Sequence, residues 1–93
     1  MKVGKHTAFM LEFVEEFVSG DMTRQFFDLD YSGYCIEHFP HMELENKKLA
    51  RKFADTIDVA YEIGSERNLS DKAFRKSMRD ALRDFYDPHL YDF

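Results

Sequence analysis

Apolar residues recur every three or four positions along most of the chain, which is the spacing of helices that each bury one face. The first helix has Thr7 as a candidate N-cap and ends before Gly20, which suits the left-handed residue after a helix. Asp21 or Thr23 can cap a second helix, and Pro40 is expected to stop it. The apolar positions are Met10, Phe13, Val14 and Phe17 in the first helix, and Met22, Phe26, Phe27, Leu29 and Ile36 in the second.

A third helix is predicted from Met42 to Ile63, with Gly64 as its natural stop. Its inward face is expected to carry apolar side chains at helical spacing. These positions are Leu44, Phe53, Ile57, Ala60 and Ile63, with Leu49 and Val59 beside them.

The fourth helix has the clearest start signal. Ser70 is a good N-cap, and Leu69 before it can pack on Phe74 as a hydrophobic staple. Pro88 excludes further helix. The inward positions are Phe74, Met78, Ala81, Leu82 and Phe85.

No alternating strand pattern interrupts these helices, and the connections are short, so neighbouring helices should run antiparallel. The sequence therefore predicts an all-α protein, a compact antiparallel bundle of about four helices in a single domain, residues 1–93. Phe13, Phe53 and Phe74 are expected in its core. The tail, residues 87–93, is expected to fold back onto the bundle; the alternative is an apolar handle for a partner.

Charge and cysteine content narrow the class of protein. The 93 residues suit one domain, and the single Cys35 excludes an intramolecular disulfide. No apolar run reaches the roughly 20 residues that cross a bilayer, and the first residues lack a signal-peptide pattern, so we expect a cytoplasmic protein. Residues 1–46 carry a net charge of −6 and residues 47–93 a net charge of +1. This balance favours a basic protein partner over nucleic acid, or serves solubility alone.

One segment of the second helix resembles the start of an EF-hand calcium loop. Asp28, Asp30 and Ser32 take the first, third and fifth positions, and Gly33 takes the sixth. The bidentate glutamate that should close the loop is replaced by Phe39. We therefore expect a helix with exposed acids rather than a calcium site.

Cys35, His38 and His41 follow at three-residue spacing and are ligands that suit zinc or copper. A structural zinc site needs a fourth ligand, so we expect no metal and no cofactor. Neither a basic cluster nor a helix N-terminus would activate Cys35, and no phosphate-binding or nucleophile motif occurs. The sequence therefore favours a protein that is not an enzyme.

The fourth helix carries a row of arginines, Arg75, Arg79 and Arg83, at four-residue spacing. Such a row could follow a phosphate backbone. Acidic residues lie within ion-pair range, as Asp71 does for Arg75, so a solvated face of ion pairs is the favoured interpretation.

Two acidic stripes are the candidate partner-binding surfaces. The third helix and the loop after it supply the first, in which Tyr61 could serve as an aromatic anchor. The first helix supplies the second. The residues are Asp55, Asp58, Tyr61, Glu62, Glu66 and Asp71 in the first surface, and Glu12, Glu15 and Glu16 in the second.

The order of these features resembles the small immunity proteins that neutralise colicin D-type and related contact-dependent toxins. The stretches that carry the resemblance are residues 11–22, a first helix ending in Ser-Gly-acid before a Phe-rich helix, and Leu69-Ser70-Asp71 leading into Phe74. The resemblance implies a single acidic helical domain that binds a basic toxin nuclease and blocks its active site with carboxylates. The alternative is a small metal-responsive or nucleic-acid-associated regulatory or adaptor protein.

Overall fold

The computed structural model describes residues 3–88, and in this range the chain is helical with no strand. Helix α1 spans Lys5–Ser19 and α2 spans Arg24–Glu45. Helix α3 is continuous from residue 47 to 66 and has three parts: α-helical Lys47–Phe53, π-helical Ala54–Asp58 and α-helical Val59–Glu66. Helix α4 spans Asp71–Tyr86. The predicted all-α bundle of about four helices is confirmed.

Several of the predicted end signals operate as expected. Gly20 has φ 94° directly after α1, Thr23 accepts a hydrogen bond from the Phe26 amide, and Ser70 accepts one from the Ala73 amide. Helix α4 ends at Tyr86, before Pro88. The prediction that the tail folds back lies outside the described residues for all but positions 87 and 88.

The start of α1 differs from its prediction. The helix begins at Lys5, and its N-cap residue Gly4 has no side chain to offer. Glu45, at the far end of α2, takes over this role. Its carboxylate accepts hydrogen bonds from the His6 amide (2.7 Å), the Thr7 amide (3.0 Å) and the Thr7 hydroxyl (2.8 Å). Thr7 is therefore a buried partner of this cap rather than the cap itself.

The prediction that Pro40 stops the second helix is wrong, because α2 continues through Pro40 to Glu45. Pro40 lies on the exposed side of the helix, where water can hydrate the carbonyl that loses its amide partner. The break comes at Asn46, whose backbone is extended and whose side chain accepts a hydrogen bond from the Leu49 amide. Leu44, expected in the core, lies on the outer side of α2 as a result.

The inward face of α3 differs in part from its prediction. The buried positions run from Phe53 through Ile57 to Gly64, whereas Ile63 is 42% exposed. Gly64 does not stop the helix. It lets the ring of Phe74 pack so closely that a Cβ at this position would lie 2.3 Å from the ring.

The core is built from aromatic side chains. Phe17 stacks on Phe27 with ring centroids 4.3 Å apart, and Phe13 stacks on Phe27 at 5.0 Å. The predicted core residues Phe13, Phe53 and Phe74 are buried. Each such side chain stabilises the fold by roughly 1.5–3 kcal/mol through removal of its surface from water. The fully buried aromatic residues are Phe17, Phe27, Tyr31, Phe53, Phe74 and Phe85.

Candidate functional site

Acidic side chains from α1 and α2 meet at the groove between these helices. Glu12 and Glu16 of α1 line this groove together with Asp30 of α2, and the groove has a volume of about 240 Å³. The groove has aromatic walls, to which Phe9 and Tyr34 contribute. Two members of the second predicted surface therefore lie beside α2. Glu15 borders a second depression together with both of them, and its carboxylate accepts a hydrogen bond from the Tyr86 hydroxyl of α4 (3.2 Å).

Acids of the first predicted surface approach α2 from its other side. Asp58 accepts a hydrogen bond from the hydroxyl of the buried Tyr31 (3.0 Å). Asp71 pairs with Arg24 at the start of α2, with 3.3 Å between Oδ1 and Nη1, rather than with Arg75. Glu62 is exposed. Burial raises the pKa of the Cys35 thiol, and the charges of Asp58 and then Glu62 add to this rise.

Asp55 lies apart from this group, so the predicted common face with Asp58 and Glu62 does not form. It borders a groove of about 450 Å³ between α3 and α4, and it pairs with Arg51 at 3.8 Å. The cause is the π-helical segment, because Asp55 and Asp58 both lie within it and its wide turn alters their angular separation. Glu66 is exposed in the last turn of α3.

Tyr61, the predicted aromatic anchor, is a packing residue. Its ring stacks on Tyr31 with centroids 4.0 Å apart and meets the edges of Phe27 and Phe74. Burial, and then the charge of Asp28, raise the pKa of its hydroxyl. These ring contacts stabilise the bundle, while the Tyr61 side chain stays only half-buried.

Two of the three arginines in the row on α4 bind the end of α1. Arg75 donates to the carbonyls of Phe17 and Met22, and its guanidinium lies 4.5 Å from the centre of the Phe17 ring. Arg79 donates to the Val18 carbonyl (3.3 Å). The Phe17 carbonyl also accepts a hydrogen bond from the Gly20 amide, so the two arginines add bonds between helices that help hold the end of α1 against α4.

The remaining arginine of that row takes part in the expected ion pairs. Arg83 pairs with Asp80 at 3.3 Å, and Lys76 pairs with the same carboxylate at 3.1 Å. The predicted face of ion pairs on α4 is therefore present.

The segment that resembles an EF-hand is part of the continuous helix α2, including Ser32 and Gly33. Residues two apart on an α-helix point in nearly opposite directions, so Asp28 and Asp30 do not converge on one point. Asp28 instead pairs with Arg24 at 3.4 Å. The segment has no loop that could surround a calcium ion.

Three histidines form a cluster between the start of α1 and the second half of α2. Nδ1 of His6 lies 2.8 Å from Nδ1 of His38, and the His6 ring stacks on His41 with centroids 4.3 Å apart. Partial burial and the nearby charge of His41 lower the pKa of His6. The spacing pattern missed His6, because it lies far from the other two in the chain.

Within residues 3–88, no three His, Cys, Asp or Glu side chains are arranged to hold a metal ion. Burial raises the pKa of the Cys35 thiol to about 11, which is the opposite of what an activated nucleophile needs. In the same part of the chain, no helix combines the length and apolar character needed to cross a bilayer.

The chain matches no protein-family model, no curated protein and no solved structure.

Proposed function

We propose that this protein is a non-catalytic binding protein that attaches to a basic protein through an acidic surface and inhibits it. The resemblance to small immunity proteins suggests a toxin nuclease as that partner. The supporting observation is the separation of charge. Glu12, Glu16 and Asp30 lie on one side of α2, and Asp58 and Glu62 lie on the other.

Within residues 3–88, none of these five carboxylates forms an ion pair with a lysine or arginine of that range. Arg75 and Arg79 are held by carbonyls at the end of α1, and Arg24 is paired with Asp28 and Asp71. An uncompensated acidic surface attracts a basic partner and speeds its association at low salt. Carboxylates on such a surface would occupy the cationic groups with which a nuclease binds the phosphates of its substrate.

The test is capture of partners from a lysate of the source cell by the tagged chain, followed by purification of any basic protein recovered. The purified partner is assayed for nuclease activity with and without this chain. We expect inhibition at one-to-one stoichiometry, and an affinity that falls when NaCl is raised from about 50 to about 300 mM.

Two double variants locate the surface with the same change in net charge. One is Glu12→Lys with Glu16→Lys, and the other is Glu62→Lys with Glu66→Lys. Reversal on the contact side should weaken binding at least ~10-fold, and reversal on the other side should act only through weaker long-range attraction. The proposal is contradicted if this chain leaves the activity of the partner unchanged. It is also contradicted if binding changes neither with salt nor with either double variant.

A further inference from the structure

Helix α2 carries large apolar side chains on its outer face that no described element covers. Phe26, Leu29, Ile36 and Leu44, here named the outer stripe, are 64%, 75%, 79% and 86% exposed. Single exposed apolar residues are ordinary, whereas an aligned set marks an interaction surface. The sequence pattern assigned all four to the core, so their exposure is a finding of the structure.

The outer stripe has the spacing of a helix-pairing seam. Its members Phe26, Leu29 and Ile36, together with Gly33 and Pro40, follow one another at alternating intervals of three and four residues, as in the a and d positions of a coiled coil. Leu44 lies one position beyond the next step of this spacing. The position of a Cβ on Gly33 has no atom within 4 Å. A second helix could therefore approach the middle of the stripe closely.

Acidic residues border the outer stripe on both sides, and basic residues are missing from it. No lysine or arginine occurs between Arg24 and Lys47, and Arg24 is already paired with two aspartates. The bordering acids on α2 are Asp28, Asp30, Glu37 and Glu43, with Glu12 and Glu16 of α1 beyond Asp30 and Glu62 of α3 near Cys35.

We infer that the outer stripe is the docking surface for an amphipathic helix of a partner protein, with lysines or arginines on both borders of its apolar face. This inference rests on the proposed function and names the part of the basic partner that is recognised. Charge complementarity selects this occupant, since cations on the partner would meet the acids along α2. A second copy of α2 would set acid against acid, and an anionic lipid surface would repel the same residues.

The test uses a fluorescein-labelled helical peptide of three heptads, with leucine at a and d and lysine at e and g. A second peptide keeps the leucines and has glutamate at e and g. Fluorescence anisotropy with the full chain should give micromolar binding of the lysine peptide and at least ~10-fold weaker binding of the glutamate peptide.

Variants of the chain assign the binding to the stripe. Leu29→Ser with Ile36→Ser removes two apolar side chains from the stripe and should weaken binding of the lysine peptide at least ~10-fold. The matched control is Val59→Ser with Ile63→Ser, which removes two side chains that are each 42% exposed on α3. This control should change the affinity less than about twofold. Equal losses in both double variants, or none in either, overturn the inference.

Two further measurements test the other occupants. Sedimentation of the free chain should show a monomer, and a dimer that dissociates in the Leu29→Ser, Ile36→Ser variant would assign the stripe to a second copy. Vesicles of neutral phosphatidylcholine should not bind, and binding that this variant abolishes would assign it to a lipid surface. Either result overturns the inference.

The inference and the proposed function fail separately. A basic partner that is released by charge reversal but binds the Leu29→Ser, Ile36→Ser variant normally would leave the proposed function standing and overturn the docking surface. Selective, stripe-dependent binding of the lysine peptide would support the docking surface even if no inhibited nuclease is found.

Discussion

Replacing Glu45 with alanine tests the most unusual cap in this fold. Glu45 is the last residue of α2, and its carboxylate holds the first turn of α1 by accepting three hydrogen bonds from His6 and Thr7. Loss of an ordinary N-cap costs about 0.5–2 kcal/mol, and a single hydrogen bond to a charged group contributes about 1.5–3 kcal/mol. Water can replace part of this stabilisation, because Glu45 is half-exposed. We therefore expect Glu45→Ala to lower the free energy of unfolding by about 2 kcal/mol.

The measurement is thermal and urea unfolding followed by circular dichroism. For a domain of this size, about 2 kcal/mol corresponds to a Tm lower by roughly 8–16 °C. The matched control is Glu43→Ala, which removes the same charge from an exposed position two residues away and should cost less than about 0.5 kcal/mol. Glu45→Gln keeps one acceptor oxygen, so its stability should lie between those of the two alanine variants. Equal stability of the two alanine variants would refute the reasoning.

The same carboxylate gives a pH dependence of known sign. Burial opposes ionisation of Glu45, but the hydrogen bonds from His6 and Thr7 outweigh it and lower its pKa below the ordinary 4.5. The stabilisation is therefore complete above that pH and is lost as the pH falls through the lowered pKa. Glu45→Ala should remove this part of the acid sensitivity.

Three further predictions concern the core and the titrating groups. Gly64→Ala gains about 1 kcal/mol of helix propensity but forces its Cβ against the Phe74 ring, where overpacking costs about 1–3 kcal/mol. Urea unfolding should show a net loss of stability, and a gain in stability would contradict the close contact. Because the pKa of His6 is lowered in the fold, stability should fall as the pH drops below 6.5 and level off below the folded pKa. A series of Tm measurements from pH 7.5 to 5 would detect this fall, and His6→Gln should flatten it. Cys35, with a thiol pKa raised to about 11, should react with a thiol reagent at pH 8 far more slowly in the folded chain than in urea, and equal rates would contradict its burial.

Local signals were sufficient for the end of α1, for the starts of α2 and α4, and for the inward face of α4. Gly20, Thr23 and Ser70 each act through backbone groups within three residues, so their effect is visible in the sequence. The inward face of α4 was predictable because its apolar side chains keep one period without interruption. Phe74 and Phe85 are both fully buried there.

The prediction failed where a distant contact or an irregular turn decides the structure. A proline usually ends a helix, yet α2 accommodates Pro40 because this residue faces solvent and because the packing of α2 on α1 extends to Glu45. Nothing local marks the π-helical segment, so Asp55 was placed on one face with Asp58. The candidate site was predictable only as a set of charges. Which acids lie beside α2 depends on contacts between residues that are far apart in the sequence.

The bonds from Arg75 and Arg79 to the end of α1 have a consequence for how the bundle opens. They join backbone carbonyls near residue 17 to side chains about sixty positions later in the chain. Opening α4 therefore uncovers the last turn of α1, so these two helices should exchange their amide hydrogens as one cooperative unit. The outer side of α2 has no comparable restraint within the described residues, and its amides should exchange earlier. A side of α2 that opens more readily is then also able to adjust its shape to a partner.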